Sequence, residues 1–102
     1  MTIKEAYKKV KKALLTYRNK GKITEFREEQ LYFTALIMGI VSIINNKYET
    51  FKKTELEKNH SKRYNQGIID AESIELTENV LFEAMGYNEE LLSILPYKKE
   101  QK

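Results

Sequence analysis

The side chains in this chain best suited to chemistry are one histidine, His60, and two groups of carboxylates. These are Glu25, Glu28 and Glu29, then Glu72, Glu75, Glu78 and Glu83. A histidine can act as a general base or as a metal ligand. Either role needs company: a nucleophile within hydrogen-bond reach, or further His or Cys ligands around an ion. The sequence holds no second histidine and no cysteine, which excludes thiolate catalysis, disulfides and Cys-based zinc sites. His60 stands in the polar stretch NHSKRYNQG (59–67) and is expected to be solvated. Carboxylate metal sites in helical bundles use inward-facing Glu-x-x-His pairs, and none is present, so both acidic groups read as solvated faces. Four scattered glycines build no phosphate-cradling loop. No catalytic residue, metal site or cofactor is expected.

Charge is the second resource, and it is unevenly spread. Residues 1–22 hold eight Lys or Arg and one acid, a net +7, whereas residues 66–95 hold seven acids and no Lys or Arg, a net −7. Lys4, Lys8, Lys11 and Lys12 gather on one side of the first helix, with Arg18, Lys20 and Lys22 beyond them. Such a face attracts phosphates without reading base sequence. Against a specific nucleic-acid reader, only three of the 18 basic residues are Arg, the side chain that grips guanine edges and phosphates with two donors. The segment after Gly21 is too apolar to lie in a groove of duplex DNA.

These groups must be carried by helices. Thr2 followed by Glu5 forms a capping box. Ile3, Ala6, Tyr7, Val10, Ala13, Leu14 and Tyr17 then share one face at helical spacing, and Gly21 supplies a left-handed stop. Thr24 is placed to cap the next helix, with Glu25, Glu28 and Glu29 where its dipole favours negative charge. From Leu31 to Ile44 the chain runs fourteen residues in which only Thr34, Gly39 and Ser42 are not apolar. A helix apolar all round needs covering on every side. The run is shorter than the roughly 17–25 residues of a membrane span, so it reads as a core helix, not a membrane segment.

Ile37, Val41, Ile44, Tyr48 and Phe51 keep one face beyond that run. One long helix is therefore expected over 24–58, with Asn45-Asn46 as the rival breakpoint. Ala35, Gly39, Ser42 and Asn46 line up as a small-residue strip, a surface another backbone can approach closely. It suits either packing by the first helix or the seam of a homodimer. Residues 59–67 read as the longest loop. A third helix is expected over 69–85, with Ile69, Leu76, Val80 and Ala84 as its stripe, widened by Ile74, Leu81 and Met85, and Gly86 as its stop. A short fourth helix, 89–95, would be capped by Asn88 and stopped by Pro96.

The expected fold is thus all-α: a compact helical bundle of three to four helices around a long central hydrophobic helix. Residues 1–95 form a single helical domain, and 96–102 a frayed tail. The first residues lack the apolar core of a secretory signal, and a cytoplasmic location is expected. Lys, Ile, Asn, Tyr and Phe supply 43 of the 102 residues and Gly, Ala, Arg and Pro only 13, which points to an AT-rich bacterium or its phage.

With no catalytic set, the chain reads as a non-catalytic binding or regulatory protein acting on a protein partner, of the kind that phages and mobile elements use as inhibitors or adaptors. A homodimer is expected, with Ala35, Gly39, Ser42, Tyr48 and Phe51 as its candidate interface. The alternative is an accessory nucleic-acid binder contacting phosphates through Lys4, Lys8, Lys11, Lys12 and Arg18.

Overall fold

A computed structural model describes residues 1–94. The tail expected over 96–102 lies outside the described residues. Five α-helices and one turn of 3₁₀ helix follow one another with no strand between the described residues, so the all-α reading holds. The first helix, α1, spans Ile3–Asn19 and has the expected capping box: the Thr2 hydroxyl accepts from the Glu5 amide, and the Glu5 carboxylate accepts from the Thr2 amide. Its buried face is Ile3, Ala6, Tyr7, Val10 and Leu14. At its end the Lys22 amide donates to Tyr17 O and the Gly21 amide to Arg18 O, with Gly21 at φ +69°. That is the Schellman arrangement, in which glycine takes the left-handed position.

The second helix, α2, spans Ile23–Ile44 and receives no side-chain cap, so Thr24 does not serve as one. It packs against every other helix, and Phe33, Ala35, Leu36 and Ile40 are fully buried. The long helix expected over 24–58 does not form. At its break the Lys47 amide donates to Ser42 O and the Asn46 amide to Ile43 O, with Asn46 at φ +56°. This is the same Schellman arrangement as at Gly21, with Asn in the glycine's place. The third helix, α3, restarts at once over Tyr48–Glu57. Apolar periodicity carries across the turn because Tyr48 and Phe51 return to the core, and that continuity masks the break.

The expected loop over 59–67 is largely a helix. Ser61 caps α4, Lys62–Asp70, by accepting from the Tyr64 amide, and Tyr64, Gly67 and Ile68 are buried. Ala71–Ser73 make the 3₁₀ turn, and an extended stretch from Ile74 leads to α5, Val80–Leu92. The helix expected over 69–85 is therefore wrong in register and in both ends. Its proposed stop, Gly86, and the proposed cap of a fourth helix, Asn88, both lie inside α5. Of its stripe, Ile69, Leu76 and Met85 are exposed, while Ile74, Val80 and Ala84 are buried. The chain start is tied to the extended stretch: the Met1 ammonium donates to Ser73 O, and the Glu75 amide to Met1 O.

Candidate functional site

The small-residue strip of α2 is occupied within one chain, and its occupant is α4, not α1. A Cβ built on Gly39 would overlap the Cβ of Ala71; one built on Gly67 would overlap the Tyr32 carbonyl oxygen and reach within 2.9 Å of Ala35 Cβ. Two glycines, one on each helix, let the backbones meet. Ala35, Gly39, Ser42 and Tyr48 are all buried, and the seam expected along Ala35 and Gly39 is closed to a partner, whereas Ser42 lies at the floor of an open groove. Two buried hydroxyls complete this core: Ser42 Oγ donates to Gly39 O at 2.7 Å, and Tyr48 OH donates to Ile68 O at 2.7 Å, locking α3 onto α4.

Phe51, the last of the five candidate residues, has a different fate. It is partly exposed and lines an open groove of about 640 Å³ where α2 and α3 diverge after the Asn46 turn. Ile37, Met38 and Val41 form the other wall, and Lys47 and Thr50 stand among its polar edges. Met38 is 39% exposed and Val41 37%. A helix expected to be covered on every side is thus covered on all but one.

A second unpartnered apolar surface lies on α5. Phe82 is 83% exposed and Met85 63%, and beside them no neighbouring side chain among the described residues stands within 4 Å of where a Cβ on Gly86 would be. Met85, expected in the core stripe, stands outside it, and Phe82 belongs to no expected stripe. The available signal was that Phe82 falls out of step with Val80, Ala84 and Leu91, the residues α5 buries.

The titratable groups near the α2–α4 seam and at the α3–α4 turn are engaged. Arg63 grips Glu29 with two donors, at 2.8 and 3.0 Å, and lies over the Tyr32 ring at 4.0 Å. Tyr32 OH donates to Asp70 at 2.6 Å, and Gln66 donates to the other Asp70 oxygen at 2.8 Å. Burial, with the Asp70 carboxylate second, pushes the Tyr32 hydroxyl far above its ordinary value. His60, expected to be solvated, is partly exposed and also engaged: its Nε2 lies 3.1 Å from Glu55, and its ring centroid lies 4.4 Å from that of Tyr64. Glu55, though buried, also accepts from Lys58 at 3.0 Å and Tyr64 OH at 3.3 Å. The Lys58 hydrogen bond, ahead of those from His60 and Tyr64, holds its carboxyl below 4.5. Among the described residues no group of three or more His, Asp or Glu is placed to hold a metal ion. No helix among them is long and apolar enough to cross a membrane.

The basic residues of α1 divide in two. Lys11 lies over the Tyr7 ring at 5.7 Å, and Arg18 donates to Ile94 O at 3.4 Å. Lys4, Lys8 and Lys12 are exposed at successive turns. None of them stands within 4.0 Å of a carboxylate among the described residues. Comparison of the chain with protein-family models, with curated proteins and with solved structures returns no match.

Proposed function

We propose that this chain is a non-catalytic binding protein that docks a segment of a protein partner in the groove between α2 and α3. The observation that carries this reading is the groove itself. Its walls are Ile37, Met38, Val41 and Phe51, and concave apolar surface with a few polar edges is what a docked helix or side-chain cluster fills. Leaving Met38 and Val41 in water forgoes the stabilisation their burial would bring, and an exposed apolar patch of this kind marks interaction sites. A photo-activated cross-linking residue placed at Val41, irradiated in cells of the source organism, tests it. A protein adduct at Val41 that disappears when Met38→Glu is added is the expected result. The absence of any protein adduct at that position sinks the reading.

A second reading has its own observation: the row Lys4, Lys8 and Lys12, exposed and free of carboxylates among the described residues. Unneutralised lysines at one-turn spacing suit phosphate contacts that track a nucleic-acid backbone. This reading requires duplex DNA binding that weakens steeply with salt and is lost when all three become Glu. With no binding at low salt, it falls.

A further inference from the structure

The α2–α3 groove is a concave apolar surface and the Phe82–Met85 face of α5 a convex one, and neither is covered among the described residues. We propose that they fit one another between copies: the α2–α3 groove receives Phe82 and Met85 of a second copy of this chain, reciprocally, as a twofold dimer. The proposal rests on reading the groove as a protein-docking surface and names its occupant.

Three observations favour α5 of a second copy. Phe82 at 83% and Met85 at 63% exposure are large apolar side chains held outward by a helix whose other face, Val80, Ala84 and Leu91, is in the core. Gly86 is the second. Glycine inside a helix is unfavourable relative to alanine. At Gly39 and Gly67 a tightly packed neighbour explains the choice, but at Gly86 no neighbouring side chain among the described residues stands within 4 Å of where a Cβ would be. One turn after Phe82 and next to Met85, its missing side chain opens the α5 backbone to close approach from outside.

Charge supplies the third. The α5 face is ringed by exposed Glu78, Glu83 and Glu89, in a stretch, residues 66–95, without a single Lys or Arg. Among the described residues the groove lining itself holds no carboxylate and one cation, Lys47; exposed Lys53 follows Thr50 by one turn on α3, where Glu49 and Glu57 are also exposed outside the lining. Neither lysine lies within 4.0 Å of a carboxylate among the described residues. An acidic, apolar insert therefore matches this groove, and opposite potentials across an interface select partner and register more than they add affinity. At about 640 Å³ the groove falls in the range of roughly 300–1,000 Å³ typical of ligand clefts, room enough for a phenylalanine and a methionine side chain. Because donor and acceptor are different surfaces, reciprocal insertion closes a pair, whereas one-way insertion would keep adding copies.

Sedimentation equilibrium of the full chain over a wide concentration range reads the outcome directly. The expected mass is twice 12.1 kDa, falling to 12.1 kDa in Val41→Glu and in Phe82→Ser, each with its helical circular dichroism unchanged. Since the chain has no cysteine, Thr50→Cys at the groove edge and Glu83→Cys beside Phe82, which leave the apolar anchors in place, can be mixed under mild oxidation. A disulfide-linked pair should form in the mixture and be much weaker in either protein alone. A native mass of 12.1 kDa throughout, a dimer indifferent to Phe82→Ser, or a mixture that does not cross-link overturns the proposal. If the chain is monomeric and position 41 still yields an adduct with a different protein, the groove docks a foreign segment and only the self-association fails. With no adduct at all, both fall.

Discussion

Gly39 in the middle of α2 lies so close to Ala71, just past the end of α4, that a methyl group on the glycine would overlap the alanine side chain. Gly67 meets Tyr32 and Ala35 in the same way from the α4 side. The two helices therefore approach at backbone distance, and this contact, more than any charged pair, decides where α4 sits.

The glycines should respond to substitution with opposite signs. Gly39→Ala gains helix propensity but overpacks the α2–α4 seam, which costs on the order of 1–3 kcal/mol. Gly39→Leu should leave little folded protein. Gly86→Ala meets open space and should stabilise α5 by up to about 1 kcal/mol. Thermal unfolding followed by circular dichroism at low protein concentration compares them. A Gly39→Ala protein as stable as the native one would remove close packing as the reason for that glycine.

Asn46 offers a test of the break between α2 and α3. Its side chain is exposed and its φ is +56°, so substitution there acts through backbone conformation and not through packing. Asn46→Gly should stabilise by a few tenths to about 1 kcal/mol, and Asn46→Val should destabilise by about 1–2 kcal/mol. If valine is tolerated as well as glycine in chemical denaturation, α2 and α3 are joined by a straighter path than the Schellman turn.

Alkaline pH should unfold the protein through its tyrosines. Burial first, then the negative charge of Glu72 near Tyr48 and the hydrogen bond to Asp70 at Tyr32, raise both hydroxyls far above the ordinary 10.0. A group whose folded value is raised contributes stability that is complete below its unfolded value and is lost as pH rises through the folded one. Stability should thus hold up to about pH 10 and decline above it, with tyrosinate absorbance from these two residues appearing together with loss of helix. Tyr48→Phe should blunt the alkaline transition while costing about 1 kcal/mol at neutral pH for the lost bond to Ile68. Tyrosinate formation at Tyr32 and Tyr48 near pH 10 with the helices intact would contradict the buried hydrogen bonds.

What the sequence determined by itself was local. The Thr2–Glu5 box, the stripe from Ile3 to Leu14 and the stop at Gly21 are each decided within a turn or two of helix, and all three form. The absence of cysteine and of any second histidine could likewise be read from composition alone. Tertiary structure decided the remainder. Asn46 enters the left-handed region in an arrangement that glycine usually marks, and the apolar period running through Tyr48 and Phe51 hid the turn. The stretch 59–67 looks like a loop because its exposed face is basic and it buries only Tyr64 and Gly67, too few residues to show a helical period. Gly67 packs as a helix residue because α2 offers Ala35 and the Tyr32 backbone to meet it. The interface residues read from sequence divided for the same reason. Ala35, Gly39 and Tyr48 are taken by α4 and the turn that follows it, whereas Ser42 and Phe51 are left lining the groove. Periodicity tells which residues share a face of a helix; which neighbour arrives to cover that face, and which faces are left open, depends on how the helices pack in three dimensions.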